Sequence, residues 1–179
     1  MRISSADEGT MVTESQTTDA GATLRPATEA MTLLVAAVIV HDHDTDQVVL
    51  LQRGPHAKFA QGMWDLPVGK SAPGEPITQT ATRELYEETG LIVDEKALRP
   101  VHLIHAAWGV EAPNGFLTVV FATHEWSGTL TNAEPAKHSQ VCWTDCTALP
   151  DHFVPSTAKA LRSYLAGGPG VSLHGWEGH

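Results

Sequence analysis

Glu84, Glu87 and Glu88 place three carboxylates within five consecutive residues of a segment whose apolar positions recur at helical spacing. At about 100° per residue, they occupy an arc roughly 100° wide beside the stripe formed by Ile77, Ala81 and Leu85. Glu84 and Glu88 are i,i+4 neighbours of like charge, which destabilises a bare helix. A divalent cation reverses that balance, because hard cations take carboxylate oxygens as ligands and cancel their repulsion. The chemistry such a cluster suits is the binding of a hard divalent cation. Taken alone, Glu-Leu-Tyr-Glu-Glu fits a solvated acidic helix face equally well.

The elements around the cluster are those of an α/β domain. The helix is expected from Pro76 to about Thr89, with Pro at its first turn and Gly90 just past its end. The preceding stretch, Gly62–Gly74, reads as a loop with a short extended piece at Trp64–Leu66. Leu33–Val40 is a continuous apolar, β-branched run, the pattern of a strand buried on both faces. It forms a hairpin with Gln47–Gln52 across His41–Asp46, whose His41-Asp42-His43-Asp44 run reads as solvated turn residues rather than metal ligands. Further strands are expected at Val101–Ala107, Phe116–His124 and Val141–Thr144, and a closing helix at Ser156–Leu165 with Ser156 as N-cap. These elements make one domain over residues 31–166. Residues 1–30 hold two basic and five acidic residues and almost nothing large and apolar, so they are expected to be a disordered leader. Met1 and Met31 are both candidate starts, and residues 167–179 read as an irregular C-terminal tail.

The wider spacing identifies the cluster. Gly69, five residues, Glu75, seven residues, Arg83-Glu84-Leu85, one residue, Glu87-Glu88, one residue, Gly90-Leu91 has a chance frequency on the order of 10⁻⁹ per starting position. This pattern resembles the Nudix box at every defining position, and the chain is similar to the Nudix hydrolases over most of residues 31–166. The resemblance implies an α/β/α sandwich with a mixed β-sheet, and a loop–helix–loop that binds Mg²⁺ or Mn²⁺. It implies Glu84, Glu87 and Glu88 as metal ligands with the Gly69 carbonyl, and Arg83 as the group that holds a carboxylate of the cluster in place. Glu75 is implied to be structural. The general base comes from Glu84, or from Glu134 in the acidic loop Asn132–His138, where His138 is a weaker candidate. Arg53 and Lys70 stand where relatives hold phosphate. Val68 departs from the Leu-Pro-Gly-Gly of many relatives, which narrows the local backbone freedom but leaves the ligands intact.

The expected activity is Mg²⁺-dependent hydrolysis of a diphosphate linkage in a nucleoside triphosphate or related nucleoside diphosphate derivative, giving NMP and pyrophosphate. Phe153-Val154-Pro155-Ser156-Thr157 lacks the acidic pair with which relatives read oxidised purines, which argues against that specificity. The alternatives are hydrolysis of an isoprenyl-type diphosphate and a catalytically silent nucleotide sensor. Composition narrows the partners. A formal charge of −10, from 21 acidic and 11 Lys+Arg residues, argues against nucleic-acid binding by phosphate neutralisation. The longest apolar run, Leu33–Val40, is too short for a membrane span, and no secretory h-region is visible. Cys142 and Cys146 are expected as free thiols in the cytoplasm. A small-molecule diphosphate or nucleotide is therefore the expected partner, with no nucleic acid and no membrane, and with monomer and dimer both open.

Overall fold

The computed structural model describes residues 31–109, 112–168 and 170–176, so the expected leader lies outside the described residues. Strand β1, Leu33–Asp42, organises the domain. Ala36 to Val40 are at most 1% exposed, because successive side chains point to opposite faces and both faces are covered. Ala37 and Ile39 share one core with Ala158, Ala160 and Leu161 of α2, Pro155–Leu165. Ala36, Val38 and Val40 share the other with Ala81 and Leu85 of α1, Ile77–Thr89. The architecture is the α/β/α sandwich implied by the sequence.

The remaining strands are β2 Gln47–Arg53, β3 Trp64–Asp65, β4 Val68–Lys70, β5 Arg99–Ala106, β6 Phe116–Thr123, β7 His138–Asp145 and β8 Val171–His174. The main order is β3-β2-β1-β6-β5-β8, with β4 on β1 and β7 on β2. Pairing is mixed: β1 runs parallel to β6, while β4 and β2 are antiparallel to it. Two registers matter for function. Ala36 pairs with Gly69, which sets the box glycine beside the middle of β1, and Arg53 pairs with His138.

Several boundaries differ from the sequence expectation, each for a physical reason. β1 continues through His41 and Asp42, so the turn contracts to four residues with Asp46 at φ 52°. β4 is a strand where a loop was expected, since three residues are too few to show a period and the β1 edge supplies the order. β7 starts at His138 rather than Val141, because polar His138 and Gln140 pair with Arg53 and Gln52. Ser156 is not the N-cap. Val154 holds that position without a side-chain cap, and Pro155 opens α2 where its missing N–H costs nothing. Residues 171–174 are not irregular but form β8, parallel to β5, with bonds at its ends from Leu103 N to the Gly170 carbonyl and from Ala107 N to the His174 carbonyl. Cys142 and Cys146 are unbridged. Among the described residues, no helix is long and apolar enough to cross a membrane.

Candidate active site

One guanidinium ties the box together. Arg83 Nε and Nη2 donate to the two oxygens of Glu75 at 2.7 and 2.9 Å. Its Nη1 donates to Glu84 Oε1 at 2.7 Å and Glu87 Oε2 at 3.1 Å, and Nη2 also reaches the Lys70 carbonyl at 3.1 Å. Only a planar fork with five N–H donors can serve three carboxylates and a strand carbonyl together. Glu75 further accepts from Ala72 N at 3.0 Å and Thr80 Oγ1 at 2.8 Å. The Arg83 pairing, with these bonds, holds Glu75 down at about 2, and it raises Arg83 above its ordinary value. The helix itself ends at Gly90, whose φ of 72° closes the last turn onto the Tyr86 carbonyl.

Gly69 is required for space. Its Cα lies so close to the Glu84 carboxylate that a Cβ there would sit 1.8 Å from Glu84 Cδ. Burial raises the Glu84 pKa, and Arg83 opposes the rise. Gly69→Ala is expected to push Glu84 aside, costing about 1–3 kcal/mol of stability and at least about tenfold in activity. Thermal melts and steady-state rates check this; a variant unchanged in both would contradict the packing of Glu84 on Gly69.

Glu88 is the buried member of the cluster, 4% exposed. Its Oε2 accepts from Val68 N at 2.9 Å, and its Oε1 lies 3.2 Å from His138 Nε2. Burial pushes Glu88 up to about 7, against the opposing pull of His138. Glu134 Oε1 pairs with Lys137 Nζ at 2.7 Å, while Glu134 Oε2 and His138 Nδ1 are buried with no hydrogen-bond partner. One ligand atom from each of Glu88, Glu134 and His138 lies within 4.8 Å of the other two. Unpartnered buried donors and acceptors beside crowded carboxylates fit a divalent cation.

The Glu88 shift has a measurable consequence. In metal-free protein the folded state keeps a proton between pH 4.5 and about 7 that the unfolded chain has released. Stability from this group therefore falls as pH rises through that window, by about 3 kcal/mol in all. Glu75 acts oppositely, contributing stability above pH 4.5 that is lost toward about 2. A divalent cation held by Glu88 would need the ionised carboxylate, so the gain in melting temperature on adding Mg²⁺ should grow from pH 5 to pH 8. A gain that is flat or shrinks over that range would contradict the burial of Glu88 at a cation site.

The two cations expected at phosphate stand as follows. Arg53 Nη1 donates to Asp65 Oδ2 at 3.1 Å and Nε to the Phe59 carbonyl at 3.1 Å, with the guanidinium 4.0 Å over the Phe59 ring. Asp65 is 1% exposed and also accepts from Leu66 N and the Thr157 hydroxyl. Arg53 is thus anchored to the sheet, next to His138 in register. Lys70 is exposed at the end of β4. From the sequence, Lys137 has a place in the Glu134-Pro135-x-Lys137 stretch but no role, and His138 is a weak candidate. Their i+3 and i+4 spacing from Glu134 was the signal available for both.

The comparisons with known proteins agree with this geometry. The NUDIX domain profile matches residues 31–164. The chain is 26% identical over 145 residues to the 8-oxo-dGDP phosphatase NUDT18 of Mus musculus, covering 80% of this chain and 42% of that protein. It is 37% identical over 131 residues to nucleoside diphosphate-linked moiety X motif 6 of Mus musculus, covering 72% of this chain and 40% of that one. The chain therefore spans about 40% of the length of these curated relatives. The crystal structure of a MutT NUDIX hydrolase from Burkholderia pseudomallei superposes with a TM-score of 0.63 at 22% identity, covering 73% of this chain and 95% of that one, a likeness of fold. With the profile matched over most of its length and the box residues gathered on Arg83, the chain belongs to the Nudix family.

Proposed function

We propose that this chain is a Mg²⁺-dependent pyrophosphohydrolase that cleaves a nucleoside triphosphate, or a related nucleoside diphosphate derivative, at its diphosphate linkage. The observation that carries the proposal is the grip of Arg83 on Glu84 and Glu87, with Glu84 packed on Gly69 and Glu88 buried one residue on against Val68 N. Glu84, Glu87, Glu88 and the Gly69 carbonyl hold the ion, Mg²⁺ with Mn²⁺ as a substitute. When bound, the ion supplies charge neutralisation at the diphosphate oxygens and promotes ionisation of water. Arg83 is a positioning residue that fixes Glu84 and Glu87. Glu84 is the general base: burial raises its pKa and so its basicity, and it accepts the proton of the attacking water. Water oxygen bonds to the α-phosphorus, the bond from that phosphorus to the bridging oxygen breaks, and pyrophosphate leaves with that oxygen. Arg53, Lys70 and Lys137 supply positive charge around the phosphates.

The unpartnered Glu134 Oε2 supports a second reading of one role, in which Glu134 is the base or a further ligand. The substrate class is supported by the name of the NUDT18 relative, an 8-oxo-dGDP phosphatase. Oxidised-purine recognition through the stretch after Pro155 is not supported, since the Thr157 hydroxyl there is spent on Asp65. Product analysis over nucleoside di- and triphosphates and short isoprenyl diphosphates tests the reading. NMP and pyrophosphate from a nucleoside triphosphate is the expected result. Turnover of isoprenyl diphosphates alone would overturn the substrate class, and tight nucleotide binding without turnover would favour the sensor.

A further inference from the structure

Three histidines that take no part in the carboxylate cluster meet at the far end of β1. His41 lies within β1 and is buried; His43 follows in the turn and His124 follows β6, both exposed. The parallel register Val40↔Thr123 brings the two strand ends level, so side chains 81 residues apart touch. His43 Nε2 and His124 Nε2 are 3.1 Å apart. Metal–nitrogen bonds of about 2.0–2.1 Å hold tetrahedral ligand atoms about 3.3 Å apart, close to that separation. One ring nitrogen from each of His41, His43 and His124 lies within 4.8 Å of the other two.

The remaining ring nitrogens of His41 and His124 are occupied in the way that orients metal-ligating imidazoles. His124 Nδ1 faces the His41 carbonyl at 3.0 Å, so Nδ1 carries the proton and Nε2 presents its lone pair to His43. His41 Nε2 faces Asp46 Oδ1 at 3.3 Å, which leaves Nδ1 toward the Tyr164 hydroxyl at 3.1 Å. That hydroxyl lies 3.5 Å from His124 Nε2. A carbonyl behind one imidazole and a carboxylate behind another fix tautomer and aim without entering the coordination sphere themselves.

We propose that His41, His43 and His124 form a second metal site, for a transition ion of the Zn²⁺ class, with water or the Tyr164 hydroxyl completing four-coordination. Imidazole ligands favour Zn²⁺, Ni²⁺ and Cu²⁺, whereas carboxylates suit Mg²⁺ and Mn²⁺, so the two sites sort different ions. The site is separate from the hydrolytic one. His41 is five residues along β1 from Ala36, the partner of Gly69, which at about 3.4 Å per residue is roughly 17 Å. It also shares the strand face of Ala37 and Ile39, toward α2, while α1 covers the other face. The ion would clip the β1–β2 turn to the end of β6.

The test is Zn²⁺ and Co²⁺ titration of the EDTA-treated full chain in saturating Mg²⁺, followed by calorimetry and the visible spectrum of Co²⁺. One equivalent should bind, with the intense bands of four-coordinate Co²⁺, and Glu87→Gln should leave it intact. His43→Ala or His124→Ala should weaken binding by at least about a hundredfold, and Asp46→Asn by about tenfold or more. Both altered histidines are exposed, so the metal-free melting temperatures should match the parent, and Zn²⁺ should raise only the parent's. Absence of Zn²⁺ binding in Mg²⁺ would overturn the proposal. So would binding lost in Glu87→Gln but kept in His43→Ala. Binding lost in Cys146→Ser but kept in His43→Ala would also overturn it, moving the ion to His41, Asp46 and Cys146, whose Sγ lies 3.7 Å from His41 Nε2.

Discussion

Glu87→Gln is expected to lower kcat by about a thousandfold or more, an increase of about 4 kcal/mol in the barrier, with the fold unchanged. Glu87 is the most exposed carboxylate of the cluster, its side chain 44% accessible. The amide keeps the volume, and the lost pairing with Arg83 Nη1 is an exposed contact worth under about 1 kcal/mol. What disappears is a full negative charge at the proposed metal site. Melting curves should overlay those of the parent in EDTA, while the Mg²⁺ concentration for half-maximal rate rises. Near-normal turnover at saturating Mg²⁺ would remove Glu87 from the metal site.

Arg83→Lys should be severe despite the retained charge. An ammonium cannot reproduce the fork that binds Glu75 through two nitrogens while reaching Glu84 and Glu87. Glu75 should then titrate nearer 4.5 than about 2, because its principal partner has gone. Each charge-assisted hydrogen bond lost costs about 1.5–3 kcal/mol before solvent screening of this part-exposed group. The expected outcome is a clear fall in melting temperature in EDTA and at least a hundredfold loss of kcat/KM. Mg²⁺ should restore part of the stability, since a cation replaces the neutralising charge, but not the rate. Full rescue of activity by Mg²⁺ would show that charge alone is needed and that Arg83 positions nothing.

The box helix and the strands around it were legible because long elements carry their own periodicity. Leu33–Val40 reads as a doubly buried strand from composition alone, and Pro76 and Gly90 bracket α1 in the sequence as they do in the fold. β4 and β8 were not legible. Each is three or four residues, defined by the open edge it joins rather than by its own pattern. The N-terminus of α2 was misassigned because Ser156 is a strong cap former, yet Pro155 claims the first helical position. Glu75 and Arg83 could be matched by spacing to the family box, but the links from Arg83 to Glu84, Glu87 and the Lys70 carbonyl needed coordinates. The His41–His43–His124 cluster was invisible for a simpler reason. His41 and His43 read as turn residues, whereas β1 runs through His41 and leaves only His43 in the turn, and His124 is joined to them only by the parallel β1–β6 register. Spacing along the chain reports neighbours on one helix well, and neighbours across a sheet hardly at all.

The most direct test of the central claim is release of pyrophosphate from a nucleotide panel, measured with Mg²⁺, then with EDTA, then with Mg²⁺ restored in excess. The proposed function predicts turnover of at least one nucleoside triphosphate that vanishes in EDTA and returns with Mg²⁺. Turnover that persists in EDTA, or that Glu84→Gln and Glu87→Gln leave intact, would contradict hydrolysis at the carboxylate cluster.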